Sequence, residues 1–303
     1  MRRVAIVVLF VSFGVACAQG PVFEIPVLGH AFDAASGSIR PLTGVPGAAW
    51  LEAPLPAEEI LRQAVVAPGR EYALAPGADG LRVVRWSGRK IDAQPVEGSF
   101  PLPEQIVFSP SGDSAALLGA VQIQVWRGLP EAPALARSVV RGGAVDALAV
   151  ADEGTAVALA RGGAVVLHDS SGARTVAQLG RVSALAFARS GQDLAIADSE
   201  RGQVWLAGAA LPGEFQDPSA LAFSADGRKL AVASQLLSSV VLVDLASRQA
   251  SLASCECSVE TLARVRGNAV FLLTGSAKGR PPLFDGDGAE PRIVLAGAAE
   301  EAK

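Results

Sequence analysis

Acidic side chains recur in the short segments that connect the β-rich stretches of this 303-residue sequence. A group of carboxylates that converges on one point can hold a divalent cation or attract a basic segment of a partner. Arg141, Arg181, Arg201 and Lys278 lie in the same segments and partly offset the acids. The alternative is a solvated rim with no ligand. The candidate binding residues are Glu58, Glu59, Glu97, Asp146, Asp198, Glu214, Asp217 and Glu256, with Glu104, Glu200 and Glu260 in the same set.

Other residues suited to catalysis are few. The two histidines, His30 and His168, lie on or beside β-rich runs far apart in the sequence, which favours strand residues satisfied by their neighbours over a general base. No Gly-x-Ser-x-Gly elbow, phosphate loop or His-rich metal motif occurs in the sequence. We therefore expect no catalytic residues and no cofactor, unless the acids converge on a divalent cation.

Four aspartates, Asp33, Asp169, Asp244 and Asp285, end β-rich runs at matching positions. Asp side chains at such places accept hydrogen bonds from the backbone amides that follow and so stabilise turns. We predict that role for all four.

Cys255 and Cys257, in the segment SCECS, form a candidate disulfide. Two residues at this spacing in an extended strand sit near the upper Cα separation for a disulfide, so pairing requires the loop to bend. Two unpaired small residues in a loop are the alternative. Once residues 1–18, which include Cys17, are removed, neither a further Cys nor a nearby His in the sequence completes a tetrahedral metal set.

The first 18 residues predict a secretory signal peptide. Two arginines precede an apolar run from Val4 to Val15, which is too short for a membrane span of about 20 residues. We expect cleavage after Ala18, which would make the protein secreted or periplasmic. The alternative is a lipoprotein signal that attaches lipid to Cys17, in which case the protein is anchored to a membrane.

Charge argues against a nucleic-acid partner. Without Arg2 and Arg3 the chain carries 24 basic and 30 acidic side chains, and no basic stripe or aromatic stacking platform is present. Nucleic-acid binding depends on clustered Lys and Arg that neutralise phosphates. The expected partner is a protein or a small molecule.

These candidate residues are positioned by a repeated β-hairpin. The copy from Pro218 to Ser234, PSALAFSADGRKLAVAS, has two apolar runs joined by an Asp-Gly turn, which is a strong hairpin signal. Related copies turn at Gly69, Gly112, Gly154, Gly191, Gly227 and Gly267, between 36 and 43 residues apart. A period of about 40 residues with four short strands per unit is typical of a propeller blade.

The chain is therefore predicted to be an all-β protein, a β-propeller with seven blades of four antiparallel strands, with six or eight blades as alternatives. Residues 19–297 form one predicted domain, and residues 298–303 form a frayed tail. The opening segment aligns with the second half of a later unit, Asp33 matching Asp244, which suggests that the two termini share a sheet. The last unit holds four strands of its own, which weakens that idea. The complete predicted units are 61–99, 104–143, 145–180, 182–216, 218–254 and 259–297.

The units resemble those of bacterial β-propellers of the WD-repeat-like and YVTN-like kind, many of them secreted and functionally unassigned. The matching residues are Phe108-Ser109-Pro110-Ser111-Gly112, Phe223-Ser224-Ala225-Asp226-Gly227 and Leu242-Val243-Asp244. The Trp-Asp and Gly-His pairs of true WD repeats are missing. The resemblance covers nearly the whole mature chain but implies the fold and little else.

Three functional hypotheses follow. The first is an exported, non-enzymatic binding or scaffold module. The second is a hydrolase of the propeller lactonase type, with a divalent cation held by acids at the channel mouth. The third is a membrane-tethered assembly component, which requires lipid on Cys17.

Overall fold

The computed structural model describes residues 25–57, 60–77, 79–189, 191, 193–213, 215–255, 257, 259–274 and 280–298. These residues form seven four-stranded sheets, which we number as blades 1 to 7. The strands of each blade are given from the innermost to the outermost.

The first four blades cover the chain as far as Gln178. Blade 1 comprises β1 (Val27–Asp33), β2 (Ser38–Val45), β3 (Ala48–Leu51) and β28 (Gly297–Ala298). Blade 2 comprises β4 (Val65–Val66), β5 (Tyr72–Gly77), β6 (Gly80–Ser87) and β7 (Lys90–Pro95). Blade 3 comprises β8 (Gln105–Phe108), β9 (Ser114–Leu118), β10 (Gln122–Arg127) and β11 (Ala134–Val140). Blade 4 comprises β12 (Ala147–Val150), β13 (Val157–Arg161), β14 (Ala164–Asp169) and β15 (Gly172–Gln178).

Blades 5 to 7 complete the molecule. Blade 5 comprises β16 (Val182–Phe187), β17 (Leu194–Asp198), β18 (Gln203–Leu206) and β19 (Ala209–Ala210). Blade 6 comprises β20 (Pro218–Phe223), β21 (Lys229–Ser234), β22 (Ser239–Asp244) and β23 (Ala250–Ser254). Blade 7 comprises β24 (Thr261–Arg264), β25 (Val270–Thr274), β26 (Pro282–Asp285) and β27 (Arg292–Leu295). The described ranges contain one short 3-10 turn, Asp152–Gly154, and no helix long and apolar enough to cross a bilayer.

Apolar burial between consecutive blades produces the ring. Seven clusters of buried apolar side chains are present in the described residues, and each joins two neighbouring blades. Leu42 of blade 1 and Leu283 of blade 7, both 0% exposed, belong to the cluster that connects the last blade to the first. Because a lone sheet would leave two apolar faces in water, each blade is stable only between two others. The prediction of a seven-bladed, all-β propeller is therefore confirmed.

The repeated hairpin forms where the sequence predicted it. In blade 6, the N–H of Ser224 donates to the carbonyl of Lys229 at 2.9 Å, and the N–H of Gly227 donates to the carbonyl of Ser224 at 3.0 Å. Gly227 has a φ of 70°, in the left-handed region that favours glycine. In blades 2 to 7 the equivalent turn joins the innermost strand to the second strand. We call the side of the ring that carries these turns the hairpin face, and the opposite side the connection face.

The two chain ends meet in blade 1. Strand β28 pairs in parallel with β3, with Gly297 opposite Trp50 and Ala298 opposite Leu51. Blade 7 keeps four strands of its own, so the terminal segment adds a fourth strand to blade 1 without taking one from blade 7. The two expectations, that the termini share a sheet and that the last unit has four strands of its own, are thus compatible. The propeller extends one residue into the predicted tail.

The opening segment occupies a different place from the one its alignment suggested. Strand β1, which ends at Asp33, is the innermost strand of blade 1, whereas the matching Asp244 ends the third strand of blade 6. The start of β1 lies at the hairpin face, because the N–H of Arg266 in the blade 7 turn donates to the carbonyl of Leu28 at 2.7 Å. Strand β1 therefore runs in the opposite direction to the other inner strands. The alignment detected a common hairpin, but a hairpin alone does not fix its position in the sheet.

Candidate functional site

The inner strands of all seven blades surround a central cavity of about 970 Å³. This volume lies in the range that encloses small organic ligands in proteins. Much of the wall is apolar, because each inner strand presents aliphatic and aromatic residues along its length. The apolar lining residues include Val66, Phe108, Val150, Leu185, Phe223 and Leu262.

One position in this wall departs from the repeat. In blades 2 to 6 the last residue of the inner strand is apolar, whereas in blade 7 it is Arg264. Arg264 thus introduces a guanidinium into an otherwise apolar belt near the hairpin face. The five apolar equivalents are Val66, Phe108, Val150, Phe187 and Phe223.

Arg264 spans three blades. Its Nη2 donates to the carbonyl of Pro110 in blade 3 at 2.9 Å, and its own carbonyl accepts the N–H of Gly69 in blade 2 at 3.2 Å. Partial burial lowers the pKa of Arg264, repulsion from Arg189 lowers it further, and attraction to Asp152 opposes both. A guanidinium keeps its charge in proteins, so the lowered pKa reflects mainly the burial of this cation near the channel wall.

The hairpin-face mouth of the cavity carries an excess of positive charge. Among the described residues, Arg70, Arg189, Arg264 and Arg266 line it, together with a single acid, Glu71. Arg266 forms an ion pair with Glu71 at 2.9 Å, and Nε of Arg70 donates to the carbonyl of Ser111 at 2.7 Å. Within the described ranges, neither Arg189 nor Arg264 has an ion pair. We call Arg189 and Arg264 the channel arginines.

The connection-face mouth has a different charge balance. Asp33 and Arg40 line it and pair at 3.4 Å. Glu104 also lines it and pairs with Arg141 at 2.5 Å. Among the described lining residues, positive charge is therefore in excess at the hairpin-face mouth and not at the connection-face mouth.

The structure does not bring the sequence-predicted acids together in the cavity. Glu58, Glu59, Glu214 and Glu256 lie outside the described residues, as does Lys278. Glu97 and Asp146 are exposed, and Asp146 accepts a hydrogen bond from the N–H of Gly162 at 2.8 Å. Neither of them lines the cavity, nor do Asp198 and Asp217. Among the predicted acidic segments, Glu104 is the described member that reaches the wall.

Asp198 is a structural carboxylate rather than a ligand. Its side chain is 0% exposed and accepts the backbone N–H groups of Gly180, Arg181, Glu200 and Arg201 at 3.1 to 3.3 Å. Burial alone would raise the pKa of Asp198, but these four donors outweigh burial and lower it. Its oxygens are already occupied by its own loop, so they are not available to a ligand.

Asp217 faces an arginine rather than the channel. It lies 3.8 Å from Nη2 of Arg181 and is partly exposed.

No group of three or more His, Cys, Asp or Glu side chains placed to hold a metal ion occurs in the described part of the chain. The hydrolase hypothesis therefore gains no support from these residues.

The aspartates at strand ends stabilise turns, as predicted. Asp33 accepts the N–H of Ala35 at 3.0 Å, and Asp244 accepts the N–H groups of Ala246 and Ser247 at 3.1 and 2.8 Å. Asp169 accepts the N–H of Ser171 at 2.7 Å, and Asp285 accepts that of Asp287 at 3.3 Å. These bonds are local to each turn, which explains the regular spacing of the four acids.

The two histidines are separate, and His30 is the more deeply buried. The ring of His30 lies 4.6 Å from that of Trp86, between blades 1 and 2, and His30 is among the residues that line the cavity. Burial lowers the pKa of His30 to about 4, and the charge of Arg266 contributes. At neutral pH this side chain is therefore an uncharged packing group.

Cys255 and Cys257 are joined as a disulfide, with their Cα atoms 5.2 Å apart. This separation is shorter than that of an extended strand, as pairing requires. The N–H of Cys255 donates to the carbonyl of Ser238 at 2.9 Å, and Cys257 is buried between blades 6 and 7. The pair lies away from the residues that line the cavity.

The fold and channel together define a β-propeller with a ligand-sized central cavity. Among solved structures, the chain is similar to a functionally unknown protein from Desulfotomaculum acetoxidans, with 12% identity and a TM-score of 0.61 over 90% of this chain and 100% of that one. It is also similar to a chain of a mitotic checkpoint complex, with 14% identity and a TM-score of 0.55 over 82% of this chain and 88% of that one. At these identities the likeness shows the fold alone. No family model and no curated protein matches the sequence.

Sequence reasoning overlooked the channel arginines. Aligning the inner strands, with a turn one residue shorter in the copy at Gly267, places Arg264 beside Phe108, Phe187 and Phe223, so the departure is visible in the sequence. Its contact with Pro110 is not, because that contact depends on how blade 7 closes against blades 2 and 3.

Proposed function

We propose that this protein is a non-enzymatic binding module that holds a small organic ligand in its central channel. The observation that carries the proposal is the cavity of about 970 Å³ with an apolar wall and a cation set into it. Protein ligand sites commonly combine a concave apolar surface with a few polar groups that fix orientation.

Burial of apolar ligand surface in the channel would favour binding. Each apolar Å² removed from water contributes roughly 25 cal/mol, so a ligand of two fused rings gains several kcal/mol before its ordering cost. Because every blade contributes an inner strand, the wall is held by seven packed interfaces. A preformed wall of this kind limits the ordering cost of binding.

The proposed place of action is outside the cytosol, secreted or periplasmic. The support is the apolar run from Val4 to Val15 behind two arginines, together with the Cys255–Cys257 pair, since disulfides persist in oxidising compartments. The intact mass of the mature protein tests this directly. A chain that begins at Gln19 supports secretion, lipid on Cys17 supports a membrane anchor, and retention of Met1 contradicts both.

The binding proposal is tested with N-phenyl-1-naphthylamine, a neutral apolar dye whose fluorescence rises in apolar surroundings. We expect saturable binding with one dye per chain. Ala222 lines the cavity and is partly buried, so Ala222→Trp should fill part of the channel and weaken binding at least tenfold. Thr261→Trp, at an exposed lining residue, provides a second obstruction with less risk to folding.

The matched control is Ala250→Trp, on the exposed outer strand β23 of blade 6. This variant should bind the dye as the natural chain does. Equal affinity in all four proteins, each with a cooperative thermal transition, would place the dye outside the channel and contradict the proposal.

A further inference from the structure

The channel arginines indicate which chemical class of ligand the channel takes. We propose that the channel binds an organic anion, an apolar or aromatic body with one oxyanionic group, whose charged end lies at the hairpin face against Arg264 and Arg189. This inference rests on the proposed function, because it names the ligand of the same cavity.

The first step in the argument is the local charge. Arg264 stands where five other blades place Val or Phe, so its guanidinium replaces an apolar group at the channel wall. One of its N–H groups is used by the carbonyl of Pro110 at 2.9 Å. A guanidinium has five N–H donors, so others remain for a ligand.

The second step is the balance of charge at this mouth among the described residues. Glu71, the one acid that lines this mouth, is paired with Arg266 at 2.9 Å. Asp152 attracts Arg264, but it does not line the cavity and forms no ion pair with Arg264, and its Oδ1 accepts the N–H of Ser111 at 2.7 Å. A bound oxyanion would relieve the repulsion between Arg189 and Arg264 and would gain charge-assisted hydrogen bonds.

The third step is the shape of the remaining space. The wall between the two mouths is lined by residues such as Leu185, Leu221 and Leu262, which offer no hydrogen bonds from their side chains. An inorganic anion would leave this apolar surface in contact with water, whereas the apolar part of an organic anion would bury it. Among the described lining residues, the cation at the connection-face mouth is Arg40, which is paired with Asp33 at 3.4 Å, so this end offers an anion no unpaired cation.

Arg264 could instead serve only to connect blades 7, 2 and 3. The two roles differ in what they predict for a neutral ligand. If Arg264 merely maintains the ring, its loss affects charged and neutral ligands alike. If it recognises charge, its loss affects the anion alone.

The experiment compares two probes with one ring skeleton. 8-Anilinonaphthalene-1-sulfonate carries a sulfonate, and N-phenyl-1-naphthylamine is the same skeleton without it. Both are titrated into the full mature chain, into Arg264→Met and into Arg228→Met. The last variant makes the same change in net charge at an exposed residue of the hairpin face that does not line the cavity.

We expect Arg264→Met to lower the affinity for the sulfonate probe at least tenfold and to leave the affinity for the neutral probe within twofold of that of the natural chain. Arg228→Met should change neither. Arg189→Met, at an exposed residue, should weaken the sulfonate probe at least threefold, which provides a second measurement that does not depend on the Pro110 contact.

Two results would overturn the inference while leaving the channel as the ligand site. One is an unchanged sulfonate affinity in both arginine variants. The other is an equal loss of affinity for both probes in Arg264→Met, which would mean that Arg264 serves to maintain the ring. Failure of the binding proposal is distinguishable, because it would appear as neutral-probe binding that Ala222→Trp and Thr261→Trp do not change.

Discussion

Nη2 of Arg264 donates a hydrogen bond of 2.9 Å to the carbonyl oxygen of Pro110, although 154 residues separate the two in the chain. The bond joins blade 7 to blade 3 across the hairpin face. Blade 1 has no turn between its first and second strands at this face, because β1 begins there and ends at the connection face. The position of the Arg264 guanidinium at the channel wall therefore depends on packing between blades that are distant in the chain.

Closure of the ring should depend measurably on β28. A chain that ends at Ala296 lacks the pairing of Gly297 and Ala298 with β3. We expect the free energy of unfolding to fall by about 1 to 2 kcal/mol, because one or two ladder hydrogen bonds are lost at about 1 kcal/mol each. Urea denaturation measures the change. A chain that ends at Ala298 is the control, and equal stability of the two truncated chains would mean that β28 does not contribute to closure.

Replacing Asp198 with Asn should destabilise blade 5. The buried carboxylate accepts four backbone N–H groups, and the side-chain amide of the variant would turn a donor toward them, which costs about 3 kcal/mol at neutral pH. Asp146→Asn, at an exposed residue with one such bond, is the control and should cost far less.

The effect of Asp198→Asn has a definite pH dependence. The folded pKa of Asp198 is lowered, so its stabilising contribution is complete above the unfolded pKa of about 3.9 and is lost as the pH falls through the folded value. The difference in the free energy of unfolding between the natural chain and the variant should therefore be constant from about pH 5 to 7 and shrink below about pH 4. A difference that grows on acidification would contradict this assignment.

His30 should make stability fall as the pH is lowered from about 6.5 to about 4. Its folded pKa, about 4, lies below the unfolded value of about 6.5, so in this interval the unfolded chain binds a proton that the folded chain does not. Stability therefore rises with pH across the interval, by up to about 3 kcal/mol from this group. His30→Phe should keep the contact with Trp86 and remove this dependence, as measured by thermal unfolding at several pH values. Parallel pH profiles for the natural chain and the variant would contradict the prediction.

The pairing of Cys255 with Cys257 should be detectable by mass. A protein prepared from an oxidising compartment should resist alkylation at both residues and become two hydrogens heavier on reduction. Because the closed loop is very short, reduction should cost only about 1 to 2 kcal/mol of stability. Alkylation of both thiols without a reductant would show that the pair is free.

The architecture was predictable because the information for it is local and repeated. The hairpin at Gly227 recurs in six blades, and its turn chemistry requires only a few adjacent residues. The position of β1 was not predictable in the same way. The turn after Asp33 resembles the turn after Asp244, and a turn does not determine whether its strand becomes the first or the third in a sheet.

The candidate site was harder to predict from the sequence than the fold, as two residues illustrate. Asp198 looks in the sequence like an exposed acid of a connecting loop, but four amides from two segments converge on it once the loop folds. Arg264 looks like an ordinary strand residue, and its partner Pro110 lies four blades away in chain order. Both properties arise from long-range packing, which no local motif encodes.

The most direct test of the account is a crystal structure of the mature chain soaked with 8-anilinonaphthalene-1-sulfonate. The account predicts the naphthalene ring inside the central channel, with a sulfonate oxygen about 3 Å from the guanidinium of Arg264. The probe bound only on the outer strands, with an open channel in the same crystal, would contradict it.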